Sequence, residues 1–167
     1  MSIKVKKASI NDAQAIYEII QQAFTEYQNN LGTENKVAAL CETVEDIKSD
    51  IENKHVFIAL LDDKPIGSIR YDIDKNGIAY LSRFGVKPDY QKYGAGSALI
   101  KALEEDAAKQ GAKAIVLHTA MKMNGLIGFY EHMGYYVVSV SNESGYARAL
   151  LRKDLQSSKF LYDLKHA

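Results

Sequence analysis

Val86-Lys87-Pro88-Asp89-Tyr90-Gln91-Lys92-Tyr93-Gly94-Ala95-Gly96-Ser97-Ala98-Leu99 is the most informative stretch of this chain. Pro88 closes a strand, and two glycines open a helix that buries Leu99, Ile100, Leu103 and Ala107 and stops at Gly111. Glycines let the backbone turn tightly and let a ligand approach without interference from a Cβ. The unpaired N–H groups of a helix's first turn point outward with a partial positive charge. Together these features predict an anion site suited to a pyrophosphate. Lys92 and Arg83 lie close enough in sequence to add charge, and Ser97 can donate a hydroxyl. A plain strand-to-helix turn would use the same glycines. Two rival phosphate motifs are excluded. There is no Gly-x4-Gly-Lys-Ser/Thr. A dinucleotide fingerprint would want Gly or Ala where Leu99 stands and an acidic residue about 20 positions on, and residues 115–117 hold none.

Working outward, residues 3–9 read as a first strand. Asn11 then reads as a helix cap with Gln14 three residues on, ahead of an apolar stripe at Ile16, Ile19, Ile20, Ala23 and Phe24. Residues 27–42 form a polar stretch. Thr43, with Asp46 completing a capping box, starts a second helix that turns Val44, Ile47 and Ile51 inward. Strands over 56–61, 66–72 and 78–86 follow, joined by loops at 62–65 and at Asp74-Lys75-Asn76-Gly77, an antiparallel meander. Tyr80, Ser82 and Phe84 share one face of the third strand by alternation. After the helix over 94–110 come a strand at 114–119, a short helix at 125–132 and strands at 135–141 and 146–155. A strand, a crossover helix and a parallel strand form a right-handed unit. The expected fold is therefore α+β: a mixed sheet of about seven strands, an antiparallel meander plus a splayed parallel pair, flanked by about four helices. Residues 1–155 are expected to form one domain and 156–167 a C-terminal tail.

The 167 residues carry 21 Lys+Arg against 21 Asp+Glu, a formal net charge of zero. That balance argues against a dedicated nucleic-acid binder. No apolar run approaches the ~18–20 residues that span a bilayer, and the first residues lack a secretory apolar segment. One cysteine, Cys41, cannot form an internal disulfide and has no histidine within a dozen residues, so it reads as a small side chain rather than a nucleophile. The expected address is the cytoplasm. The cluster Glu104-Glu105-Asp106 with Lys109 and Lys113 reads as a solvated helix face.

Gln91-Lys92-Tyr93-Gly94-Ala95-Gly96 resembles the Gln/Arg-x-x-Gly-x-Gly/Ala signature of the GNAT superfamily of acetyl-CoA-dependent N-acetyltransferases, with Val86 and Pro88 at positions where that family carries them. Gly128-Phe129-Tyr130-Glu131-His132-Met133-Gly134-Tyr135 is similar to the family's second landmark, an aromatic-Tyr pair followed by Gly-aromatic, about 35 residues downstream. The order of elements fits from Ile3 to Leu155. The resemblance implies the co-substrate acetyl-CoA, held in a wedge between residues 81–86 and 114–119, and no metal. Main-chain groups of Phe84, Gly85 and Val86 would take the pantetheine arm, and Gln91, Lys92, Tyr93, Gly94, Ala95, Gly96 and Ser97 the diphosphate. An N–H near Phe84 and Gly85 would stabilise the oxyanion.

The implied reaction is direct attack of a primary amine on the thioester carbonyl in a ternary complex. An amine with a pKa near ~10.4 must be stripped of a proton. Tyr130 is the family's proton donor to the departing thiolate. A phenol of pKa about 10 is a weaker acid than a thiol of about 8.5, so full transfer runs uphill by roughly 2 kcal/mol. Tyr130 then acts largely as a hydrogen-bond donor to sulfur; a packed core tyrosine is the other reading. Ser82 stands where many members carry a basic glutamate, which leaves His118 as the substitute best placed by sequence, and a lone strand histidine is also commonly structural. The same departure motivates a rival function, a non-catalytic acyl-CoA-binding module. Family members carry an asparagine seven residues before the tyrosine; Asn124 is six before Tyr130, so it is expected to cap the helix or contact the cofactor. Tyr17, Tyr27, Tyr71 and Tyr80 are candidate acceptor-cleft residues. The acceptor amine is not specified by the sequence, nucleic acid and membrane are not expected partners, and a homodimer through the last strands or residues 160–164 is conceivable.

Overall fold

In the computed structural model of the chain, residues 2–143 and 145–155 are described. The tail expected at 156–167, with its proposed dimer contact, lies outside them. The described residues form two compact units. One comprises residues 2–71 with 81–103, the other residues 72–80 with 104–143 and 145–155. The seven strands of the sheet follow the order β1-β2-β3-β4-β5-β7-β6. Among the described residues, no helix is long and apolar enough to cross a membrane.

In the first unit, β1 (Ile3–Lys7) pairs antiparallel with β2 (His55–Leu61), Ile3 opposite Leu61. The helix that follows is capped differently from the expectation. Asn11 is no cap: Ser9 caps a 3-10 turn at Ile10–Asp12, its N–H donating to the Asp12 carboxylate at 2.8 Å, and Asp12 occupies the cap position of α1 (Ala13–Leu31). Ile16, Ile19 and Ile20 are buried on α1 as the stripe predicts. The helix runs beyond the expected stripe because buried Leu31 anchors its last turn and Gly32, at φ 72°, ends it. Part of the polar stretch is therefore helix, and Ala38–Cys41 is a further 3-10 turn. The Thr43 cap of α2 (Val44–Asn53) is as read: the Thr43 hydroxyl accepts the Asp46 N–H at 3.1 Å, and the Asp46 carboxylate accepts the Thr43 N–H at 2.9 Å. The Thr43 N–H and, secondarily, the Thr43 hydroxyl, both bonding to the Asp46 carboxylate, hold it below the ordinary carboxylate range.

β2 turns into β3 (Lys64–Ile73) through Asp62 and Asp63 alone, both at positive φ (48° and 69°). The loop is thus two residues, not four, because paired left-handed residues match the twist of a tight hairpin and Pro65 is tolerated beside a strand's start. β4 (Ile78–Val86) has the predicted bounds. Its alternation is interrupted at Arg83, which takes φ 51°. Two glycines set the packing here. A Cβ on Gly85 would lie 2.9 Å from the Ala23 Cβ of α1, and one on Gly67 would lie 3.0 Å from Leu99 Cδ1.

In the second unit, the Asp74 carboxylate accepts the N–H groups of Asn76 (2.8 Å) and Ile78 (3.0 Å), and Gly77 supplies φ 81° to the turn that starts β4. β4 runs parallel to β5 (Ala114–Ala120) over three pairs, Ile78–Ala114, Ala79–Ile115 and Tyr80–Val116. The end of α3 (Ala95–Lys109), from Glu104 on, precedes β5, and α4 (Asn124–His132) follows it. β6 (Tyr136–Ser141) and β7 (Arg148–Asp154) complete the chain's antiparallel pairs, β7 lying against both β5 and β6. The expected solvated face of α3 is only partly so. Glu104 accepts the Tyr135 hydroxyl at 2.9 Å and Lys153 Nζ at 3.1 Å, a half-buried clasp. Burial and Glu104 push the Tyr135 phenol far above its ordinary range, so it stays protonated.

Candidate active site

The predicted phosphate loop belongs to the first unit. After β4, Pro88–Tyr93 forms a 3-10 segment, and Gly94 takes φ 83° before α3 begins at Ala95. A Cβ at Gly94 would meet nothing within 4 Å, so the position is a glycine for its backbone angle, not for want of space. Ala98 N–H bonds back to Gly94 O at 3.1 Å, which is the helix's first i to i−4 bond. The N–H groups of Ala95, Gly96 and Ser97 precede it and have no partner within the helix. Ala95 is fully buried, Gly96 and Ser97 are half-buried, and Gly94 is exposed.

Around this loop the side chains are mostly occupied with one another. Gln91 Nε2 donates to Val86 O at 3.5 Å and to Glu26 at 3.4 Å. Tyr90 accepts from Lys64, while Lys92 Nζ lies 5.9 Å from the Tyr93 ring centre. Lys87 N–H donates to Ile66 O on β3 at 2.8 Å. By strand alternation, Gly85's main-chain groups also face β3, and those of Phe84 and Val86 face the opposite edge. Gly85 itself is held close to α1.

Arg83 does not add charge to this loop. Its Nε approaches Glu42 at 3.5 Å and is buried without a hydrogen bond. Glu42 is in turn gripped by both terminal nitrogens of Arg70, one of which also reaches Asp50 at 2.9 Å. Arg70 is fully buried. Nothing in Ser82-Arg83-Phe84 announces a left-handed residue, and this feature of β4 was not legible in the sequence.

The second unit holds the other candidates. His118 stands exposed on β5, and its Nδ1 lies 2.6 Å from the Tyr80 hydroxyl, with ring centres 5.6 Å apart. Desolvation and, secondarily, the Arg148 guanidinium hold this imidazole below the ordinary histidine value of 6.5. It is therefore neutral at pH 7 and offers a lone pair. The sequence singled out His118 but not its partner. Tyr80 pairs with Val116 across the parallel ladder, which places it beside the side chain two residues further on. Tyr130 is buried on α4, with its ring edge-on to Phe129 (5.7 Å) and Tyr135 (5.8 Å). Asn124 does not cap α4. It is the helix's first residue, exposed, and Met123 occupies the cap position without a side-chain bond. The missing residue of spacing shifts it into the helix. Tyr71 is fully buried and stacked 4.5 Å from His55, so it lines no cleft. Cys41 is exposed and unbridged. Among the described residues, no group of three or more His, Cys, Asp or Glu side chains is arranged to hold a metal ion.

The acetyltransferase (GNAT) family profile matches residues 13–135, a span that takes in the Gly94 turn, His118 and Tyr130. The chain belongs to this family. It is similar to the PaiA N-acetyltransferase of Thermoplasma acidophilum, solved in complex with coenzyme A: TM-score 0.82 and 21% identity, over 93% of this chain and 100% of that one. Among curated proteins it is 33% identical over 91 residues to the uncharacterized N-acetyltransferase YjcF of Bacillus subtilis, covering 54% of this chain and 62% of that protein. It is 36% identical over 76 residues to the probable N-acetyltransferase 14 of Xenopus tropicalis, covering 45% of this chain and 37% of that protein. The chain thus matches less than two thirds of the length of these curated relatives.

Proposed function

We propose that this chain is an N-acetyltransferase that moves an acetyl group from acetyl-CoA to a primary amine by direct attack in a ternary complex. The observation that carries the reading is the Gly94 turn: a left-handed glycine, open above its Cα, immediately before three first-turn N–H groups of α3. Such a cluster favours a doubly charged diphosphate. Residues 91–97 hold that group, chiefly through main chain, since Gln91 and Lys92 already have partners. Phe84 and Val86 offer their main-chain groups to the pantetheine arm. Gly85 keeps β4 close to α1, and an N–H in the Phe84–Gly85 stretch steadies the oxyanion. Asn124, released from capping, contacts the coenzyme.

Tyr130 donates to the sulfur as the C–S bond breaks. A phenol is ordinarily a weaker acid than a thiol, so the contribution assigned to Tyr130 is a hydrogen bond that strengthens as charge develops. His118, neutral at pH 7, is the proton acceptor where Ser82 has replaced the common carboxylate. The test is thiol release from acetyl-CoA across amines of several classes. Amine-dependent release supports the transferase. Coenzyme A binding by calorimetry without release for any amine would instead make the chain an acyl-CoA-binding module.

A further inference from the structure

The hydrogen bond between Tyr80 and His118 has no structural task in proportion to its shortness. Tyr80 is 39% exposed and His118 is exposed too. A hydrogen bond between two exposed side chains adds little to folding, because water replaces either partner. The pair nevertheless presents one polar tip, the phenol oxygen, with an imidazole nitrogen behind it at 2.6 Å. With His118 neutral and its proton on Nε2, Nδ1 accepts the phenol proton, and the phenol oxygen keeps its lone pairs for a further donor. On β7, Leu150 stands opposite His118, flanked by Arg148 and Arg152. Arg152 is taken by Asp154 at 2.9 Å.

We propose that Tyr80 is a catalytic residue of the transfer reaction, the group that touches the amine and relays its proton to His118. This rests on the acetyltransferase reading above. As the new C–N bond forms, the nitrogen becomes cationic and sheds one proton to the Tyr80 oxygen. The phenol's own proton passes to His118 Nδ1, leaving imidazolium, while the C–S bond breaks and its electron pair leaves on the thiolate. Tyr80 ends the step as a neutral phenol. His118 is a positioning and proton-storing residue that acts through Tyr80, and Arg148 opposes premature protonation of the ring.

The relay has a signature that a packing role lacks. A base matters most when the attacking nitrogen holds its proton tightly, and its contribution shrinks as the amine becomes less basic. Acetyl-CoA turnover is measured for the full chain, Tyr80→Phe and His118→Gln, each with a primary amine of pKa near ~10 and one of comparable shape several units less basic. With the basic amine both variants should lose about 10²-fold in kcat, with coenzyme A affinity unchanged; with the weakly basic amine the loss should fall below about tenfold. Equal losses with both amines, or turnover at the full chain's rate in both variants, would overturn the relay while leaving the transferase intact. If the unaltered chain binds coenzyme A yet releases no thiol with any amine, the transferase reading falls and the relay with it.

Discussion

The loop around Gly94, proposed to bind the diphosphate, and the Tyr80–His118 pair are made of different material. The loop is main chain: its conformation depends on one positive φ, and its charge comes from peptide N–H groups. The pair is side chain: two residues from different strands, whose chemistry depends on one oxygen and one nitrogen. A main-chain site tolerates many changes of side chain but few of backbone angle. A side-chain site fails when a single atom is removed, while ligand affinity is untouched.

That contrast breaks most visibly at Tyr130. Tyr130→Phe should lower kcat about 10²-fold and leave the Kd for coenzyme A unchanged, measured by steady-state thiol release and calorimetry. A change in Kd with kcat intact would move Tyr130 into the binding machinery. Next in size is a pH effect. His118 must be deprotonated to accept, and its pKa lies below 6.5. The kcat should therefore be flat with respect to this group near neutrality and fall roughly tenfold per unit once the pH drops below its pKa, a pKa lowered first by desolvation and secondarily by the Arg148 guanidinium. Coenzyme A affinity should not follow that limb.

Tyr135→Phe sharpens the comparison from the opposite side. Its hydroxyl is bound to Glu104, which retains Lys153. Stability should drop by about 1–2 kcal/mol in a denaturant titration, with kcat unaltered, although the ring lies 5.8 Å from that of Tyr130. The smallest effect belongs to Lys92→Ala. An exposed ammonium resting over the Tyr93 ring supplies only screened charge, so Kd for coenzyme A should rise about two- to threefold at low salt and less at high salt.

The legibility of the sequence divides along the same line. Gly94 was readable because only glycine adopts its φ cheaply. The capping box of α2 was readable because Thr43 and Asp46 are local partners. The bounds of β4 and the stop at Gly111 belong to the same class of short-range signal. What escaped depended on distant partners. Glu104 read as solvated because Tyr135 and Lys153 lie 31 and 49 residues away. The contact between Tyr80 and His118 escaped because it requires the register of a parallel ladder, which no local pattern encodes. Arg83 carries a left-handed backbone with a side chain that would not choose it, at a cost of about 1–2 kcal/mol. The ion pairs of Arg70, Glu42 and Asp50 likewise join a strand, the loop before α2 and α2 itself. Asn124 failed as a cap for the opposite reason: a one-residue difference in spacing decides between cap and first turn.

The central claim is that main chain at the start of α3 grips a diphosphate, and titration of coenzyme A into the unaltered chain and into Gly94→Asp tests it most directly. At φ 83° an aspartate strains the turn and sets a negative charge where the phosphates would lie. Binding to the unaltered chain with a loss of at least about 10²-fold in Gly94→Asp is the predicted result. Equal affinity in the two proteins, with the variant folded to the same melting temperature, would contradict it.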